Sequence, residues 1–432
     1  MSKPYLVISA PIATVSGYGS HARDIVRSLR DLDKYDIKII SQRWGSTPLN
    51  ALSPNDEFHV WMLQNMISPN LTKQPDIWIQ VTVPNEFQKI GKFNIGITAG
   101  METTLVHNEW IEGMNRMDLN IVTSQHSKQS FVNSVYQQKD QNGNVIGELK
   151  VTKPIEVLFE GFDEHIYTNK QHDIENSSLN VELSKIKENF IFLFVGHWLK
   201  GDFGHDRKDV ATLIKTFCET FKNTQNPPAL LLKTSAGVFS VMDREEIINR
   251  IEKVKAEVSG ELPSIYLLHG ELTDKEMNNL YNHPNIKSMI SFTKGEGFGR
   301  PLLEFTQSGK PIIASAWSGH MDFLNNEDSI LLGGRLSNIH ESAVWDKVLI
   351  PESGWFYVDV NEAKQGMKNL HKKYNDYHKK SKSFTYKVKK MFKLSDMTIK
   401  LGEMLDSNLP EFPKEIPLEL PKLKLPTLKK IE

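Results

Sequence analysis

Two glutamates with seven residues between them, Glu296 and Glu304, bracket the run Gly297-Phe298-Gly299-Arg300-Pro301-Leu302-Leu303. Ionised carboxylates only accept hydrogen bonds, so a pair at this spacing could grip different hydroxyls of one ligand. Gly295, Gly297 and Gly299 let backbone approach that ligand closely. A helix opening at Pro301 and closing before Gly309 would aim unpaired N–H groups and its positive dipole end at the same place. The loop therefore suits a phosphorylated or hydroxylated ligand. A plainer role for Glu304 is as the acidic partner of that helix end.

Cations stand upstream. The strand ending Val195-Gly196-His197-Trp198 is followed by Asp206-Arg207-Lys208-Asp209-Val210, and a guanidinium beside an ammonium suits phosphate. The alternative is a solvated basic pair at a loop end. Lys233, ending a later strand, is a lesser candidate on the same side.

Near the amino end, Gly17-Tyr18-Gly19-Ser20-His21-Ala22 reads as G-x-G-x-x-A, which suggests a rival NAD(P)-dependent oxidoreductase. Yet Gly17 lies eight residues past Ser9, where the fingerprint needs a tight turn, and Ile40-Ser41-Gln42-Arg43 offers no acid for a ribose. Glu102 follows the strand Asn94–Ile97 and should sit at a sheet's carboxyl edge, where it orients an acceptor hydroxyl or caps a helix. Tyr18, His107 and His126 are further acceptor-side candidates. No metal site is expected: the one D-x-D, Asp31-Leu32-Asp33, falls at a helix end, and no Walker A, H-E-x-x-H or G-x-S-x-G element occurs.

These residues need a scaffold. Apolar strands alternate with helical patterns from Tyr5 onward, which means parallel α/β sheets. The polar stretch between about 169 and 189 divides two such halves. The expected organisation is a domain over 1–170, a linker over 171–189, a second domain over 190–384, a helix over 385–408 returning to the first domain, and a tail over 409–432. Five prolines keep that tail out of a helix, leaving a disordered terminus or an extended strip.

At 432 residues the chain has room for both cores, and a net charge of −1 excludes a globally basic nucleic-acid binder. Lysines concentrated over 372–393 read first as a solvated helical face, the alternative being a local contact with an anionic membrane surface or with DNA carrying hydroxylated bases. Cys218 alone cannot form an intramolecular disulfide, and its helical flanks suggest a buried thiol. With no export signal or membrane span in the pattern, a cytoplasmic protein is expected.

The stretch from Leu267 to Leu324, with Glu296, Gly297-Phe298-Gly299, Glu304, upstream Leu268-His269-Gly270-Glu271-Leu272 and downstream Ser318-Gly319-His320-Met321-Asp322, resembles the E-x7-E region of retaining family-4 glycosyltransferases of the GT-B fold. That resemblance implies two Rossmann-like domains with parallel sheets facing a central cleft. It implies a nucleotide-sugar co-substrate, no other cofactor and no metal, and front-side transfer with retention. By the same resemblance Glu296 contacts the donor sugar, Glu304 holds the ribose, and the amides of Gly297, Phe298 and Gly299 lie near sugar and phosphate. Lys208 matches the family's phosphate-binding lysine. His197 stands where the family has an arginine, and Arg207 is the candidate replacement. Gly17 and Gly19 fit a glycine-containing loop facing the donor phosphates. The acceptor stays open among a glycan, a lipid-linked glycan and a hydroxylated DNA base. A sugar-binding module without transferase activity is the remaining alternative.

Overall fold

The computed structural model describes residues 3–174 and 177–412. Asn176 of the polar linker and residues 413–432 of the tail lie outside them.

The first half runs β1 (Tyr5–Ala10), α1 (Gly17–Leu32), β2 (Asp36–Ser41), α2 (Glu57–Gln64), β3 (Ile77–Val81), β4 (Phe93–Thr98), α3 (Asn108–Arg116), β5 (Leu119–Val122) and α4 (Gln125–Asn133). A hairpin of β6 (Tyr136–Lys139) and β7 (Val145–Leu149) then leads to β8 (Ile155–Val157). Six strands form one parallel sheet in the order β2-β1-β3-β4-β5-β8.

The second half runs α5 (Leu179–Leu183), β9 (Ile191–Val195), α6 (Val210–Phe221), β10 (Ala229–Lys233), α7 (Val241–Ala256), β11 (Ile265–Leu268), α8 (Asp274–Asn282), β12 (Ile286–Ser291), α9 (Arg300–Thr306), β13 (Ile312–Ser315) and β14 (Ile330–Leu332). Its parallel sheet has the order β11-β10-β9-β12-β13-β14. An antiparallel hairpin, β15 (Gly334–Asn338) with β16 (Gly354–Val358), and three helices, α10 (Val360–Lys372), α11 (Tyr374–Lys389) and α12 (Leu394–Asn408), complete the chain.

Each sheet is covered on both faces, which is why its central strands read as unbroken apolar runs. Phe192 and Phe194 point into one core, with Leu213 and Phe217 of α6, while Ile191 and Leu193 point into the other, with Leu303 and Phe305 of α9. In the first half Leu6 and Ile8 face α1 through Ile25 and Leu29, and Val7 faces the side of Trp110 and Met114.

α11 buries Phe384 and Val388 in the second domain. The chain then crosses over: the Phe162 amide donates to the Phe392 carbonyl at 3.0 Å, and the Leu394 amide donates to the Phe162 carbonyl at 2.8 Å. Beyond that point Leu394, Met397, Leu401 and Leu405 of α12 share the core of α1. No helix among the described residues is long and apolar enough to cross a membrane.

Strand order reverses between β9 and β12 in the second sheet and between β1 and β3 in the first. Crevices form at the carboxyl ends of strands at such reversals. The loops after β9 and β12 carry His197 and Glu296.

Candidate active site

A buried lysine fastens the two loops at the second reversal. Lys294 is fully buried, and its ammonium pairs with the Asp209 carboxylate at 2.9 Å and donates to the Asp206 carbonyl at 2.9 Å. Its amide donates to the Arg207 carbonyl at 2.7 Å. The ammonium also lies 4.8 Å from the centre of the Tyr357 ring. Asp209, in the left-handed region at φ 52°, turns the chain into α6. Arg207 and Lys208 are thus held against the glutamate loop from behind.

The side chains then converge. Lys208 pairs with one oxygen of Glu296, and Arg207 donates to the other at 3.2 Å and to the Gly295 carbonyl at 2.9 Å. Burial alone would raise the Glu296 pKa, but Lys208 and Arg207 outweigh it and bring it down to about 2. Burial lowers the pKa of Lys208, and Glu296 partly restores it. Across the cleft, Glu102 reaches the Arg207 Nε at 3.7 Å. Of the two roles left open for Glu102, the cap falls instead to His107, whose Nδ1 accepts the Glu109 amide at 3.2 Å.

His197 follows Gly196 at the end of β9, and its Nδ1 lies 2.9 Å from the Ser235 hydroxyl. The residue is exposed to solvent, although protein surrounds much of it. Burial, then Lys208 and Lys233, hold it neutral, with a pKa down to about 4. It carries no phosphate-binding charge near neutrality. Lys233 donates to the Gly270 carbonyl at 2.5 Å, and burial lowers its pKa to about 8.

Glu304 lies apart from this cluster. Its Oε1 accepts from Arg300 Nε at 2.8 Å, its Oε2 lies 3.4 Å from the Tyr281 hydroxyl, and burial, opposed by Arg300, raises its pKa to about 7. Arg300 also pairs with Asp24 of α1, so it bridges the two domains.

The glycines differ from the sequence expectation. A Cβ on Gly295 would overlap the carbonyl oxygen of Glu102, and one on Gly297 that of Ala99. At these two positions the close approach is filled by the other domain's backbone. Thr123 adds a hydroxyl bond to the Gly297 carbonyl at 3.2 Å. Gly299, at φ 96°, is the residue from which α9 starts. The Phe298 ring is buried against Phe323, at 5.2 Å between centroids, so only its backbone is available to a ligand.

Gly17 and Gly19 lie within the first turn of α1, capped by Ser16, rather than in a loop ahead of it. A Cβ on Gly19 would overlap the Thr14 carbonyl, whereas Gly17 faces open space. The Tyr18 hydroxyl bonds Thr98 at 2.9 Å and accepts the amides of Ala99 at 3.2 Å and Gly100 at 2.9 Å. It therefore braces the loop that meets Gly297. His126 lies against Trp317, 4.6 Å between ring centres, with burial and His320 lowering its pKa to about 4. Among the described residues, no group of three or more His, Cys, Asp or Glu side chains is placed to hold a metal ion.

Lys294, Arg300 and Asp24 carried no assigned role in the sequence. For Lys294 the available signal was its place between a strand and the first loop glycine. For Arg300 it was a charge inside the glutamate spacing.

No family model matches the chain, and no curated protein matches its sequence. Solved structures do. The chain is similar to a glycosyltransferase from Rickettsia africae, with TM-score 0.61 and 16% identity over 95% of this chain and 99% of that one. It is similar to sucrose-phosphate synthase from Thermosynechococcus elongatus, with TM-score 0.60 and 12% identity over 94% and 98%. It is also similar to Anabaena HepE in complex with UDP and glucose, with TM-score 0.58 and 13% identity over 94% and 100%. With both sheets parallel and both faces covered, the chain has the GT-B fold of these structures.

Proposed function

We propose that the protein is a glycosyltransferase that moves a sugar from a nucleotide-sugar donor to an acceptor hydroxyl with retention of configuration. The observation that carries this reading is the convergence of Lys208 and Arg207 on Glu296 at the strand-order reversal, opposite Glu102 of the other domain. A donor diphosphate would draw on the same two cations, which are preorganised in a water-poor cleft where they stabilise a departing anion best. Glu296, ionised throughout the physiological range, would then accept bonds from donor-sugar hydroxyls, and Glu304 from the ribose. As the sugar–diphosphate bond breaks, the acceptor oxygen forms its bond on the same face, and the acceptor proton passes to the departing phosphate oxygen. The seam between Gly297 and Ala99 would keep water from competing.

The test is thermal stabilisation and donor hydrolysis with UDP-, GDP-, ADP- and CMP-sugars, with NAD and NADP as controls. UDP-sugars come first because the HepE structure holds UDP and glucose. Stabilisation by one nucleotide sugar with slow release of its nucleotide is the expected result. Stabilisation by a dinucleotide alone would overturn the reading.

A further inference from the structure

The segment from Lys372 to Lys393 carries nine lysines against Asp376 alone, a charge of +8 in a chain whose net charge is −1. Most of it is α11. That helix buries Ser381, Phe384 and Val388 and docks through the Thr385 hydroxyl, which donates to the Thr306 carbonyl at 2.6 Å. Lys379 and Lys390 fall on the opposite side, with Lys380, Lys382, Lys387 and Lys389 on the flanks, Lys382 beside Gly309. Lys379, Lys380, Lys382, Lys389 and Lys390 are exposed and form no ion pair among the described residues, whereas Lys387 pairs with Asp328 at 2.8 Å. Among them stands Tyr386, 64% exposed, with the Lys390 ammonium 4.3 Å from its ring centre, and Met391, 56% exposed, follows just past the end of α11.

We propose that this face of α11 docks on an anionic phospholipid bilayer. Three features favour that occupant. The helix spans about 24 Å, so its lysines meet a plane together. Every cation is a lysine and none an arginine. Ammonium groups act as point charges suited to a fluid layer of headgroups, whereas base readout in nucleic acid draws most on bidentate side chains such as the guanidinium fork. Tyr386 and Met391 set an amphipathic ring and a flexible apolar chain at headgroup depth. This face shares no residue with the donor site, so its docking does not depend on the proposed transfer.

The experiment is co-sedimentation of the full chain with vesicles of phosphatidylcholine alone or mixed with phosphatidylglycerol. It is run in about 10 mM salt, where charges act over about 30 Å, and in about 1 M salt, where they act over about 3 Å. Binding to the anionic vesicles only, abolished at high salt, is expected. The variant Lys379→Glu/Lys389→Glu/Lys390→Glu should bind at least about a hundredfold more weakly. A control reversal at exposed Lys139, Lys253 and Lys275 should leave binding unchanged. Thermal melts of both variants establish that they fold. Equal loss in both variants, no binding by the parent chain, binding to neutral vesicles, or preferential capture of duplex DNA would each overturn the proposal.

Discussion

Gly297 meets the carbonyl oxygen of Ala99 so closely that a Cβ on the glycine would overlap it, and the two residues belong to different domains. A backbone atom cannot swing aside as a side chain does, so Gly297→Ala must displace the β12–α9 loop or part the domains. Neither sheet's core includes this contact. The variant should melt close to the parent temperature while its transfer rate falls about a hundredfold, the cost of misplacing reacting groups by an ångström. Gly147→Ala, in the β6–β7 hairpin, whose added methyl would meet only the Gln138 side chain at 3.4 Å, is the matched control. Parent-like turnover by Gly297→Ala would show that this closed seam is not the reacting arrangement.

Glu160, 6% exposed beside the domain seam, has its carboxyl raised to about 8, first by burial, with Arg300 pulling it back. Its ordinary value is 4.5. Below pH 4.5 the group is protonated whether the chain is folded or not and contributes no pH dependence. Between 4.5 and 8 folding takes up a proton, so stability falls as pH rises, by up to about 1.4 kcal/mol per unit, and above 8 the full cost is in place. Glu160→Gln should therefore match the parent near pH 5 and exceed it near pH 9 in denaturant unfolding. Glu304, raised to about 7, acts with the same sign and remains, so part of the slope persists. An unchanged difference between pH 5 and pH 9 would remove Glu160 from this account.

What the sequence conveyed and what it withheld follow one division. The apolar run Phe190–Val195 announces a strand buried on both faces because each of its residues meets a core whichever way it points. Gly295 and Gly297 announce close approach, but local spacing is silent about which surface closes on them. That surface, Ala99 to Glu102, is about 195 residues away. Lys294 reads as an ordinary loop charge until Asp209, 85 residues earlier, is folded against it. The Arg300–Asp24 pair spans 276 residues and two domains. Glu296 was legible because its neighbours in sequence already announced a ligand loop, whereas residues that hold the loop in place are recognisable only by their partners.

Lys294 is fully buried, and its charge is balanced by Asp209. Removing one member of a buried pair strands the other, so Lys294→Met should cost about 3–5 kcal/mol in denaturant unfolding. Asp209→Asn in the same chain should recover part of that loss, because the double variant no longer buries an unbalanced carboxylate at this position. Since Arg207 and Lys208 ride on the same loop, nucleotide affinity should fall in the single variant beyond what its unfolded fraction explains. Additive losses in the double variant would mean that the pair is not coupled.

Glu296→Gln separates a role in transfer from a role as the salt-bridge partner of Lys208. The glutamine keeps the shape and removes the charge, leaving Lys208 and Arg207 free to meet an anion, so binding of a nucleoside diphosphate should hold or tighten. Turnover should fall about 10²–10³-fold, the usual loss when one preorganised polar contact to the reacting centre is removed. Lys208→Met should do the reverse and weaken nucleotide binding first. Because the Glu296 carboxyl is held down at about 2, its ion pair stabilises the fold above its ordinary 4.5 and is lost only as pH falls toward 2. Glu296 therefore contributes no limb to an activity profile between pH 5 and 9. Isothermal titration with the nucleotide, paired with kcat and KM for transfer, reads both effects. If Glu296→Gln loses affinity and turnover in equal proportion, Glu296 serves to position Lys208, and contact with the donor sugar falls to another group.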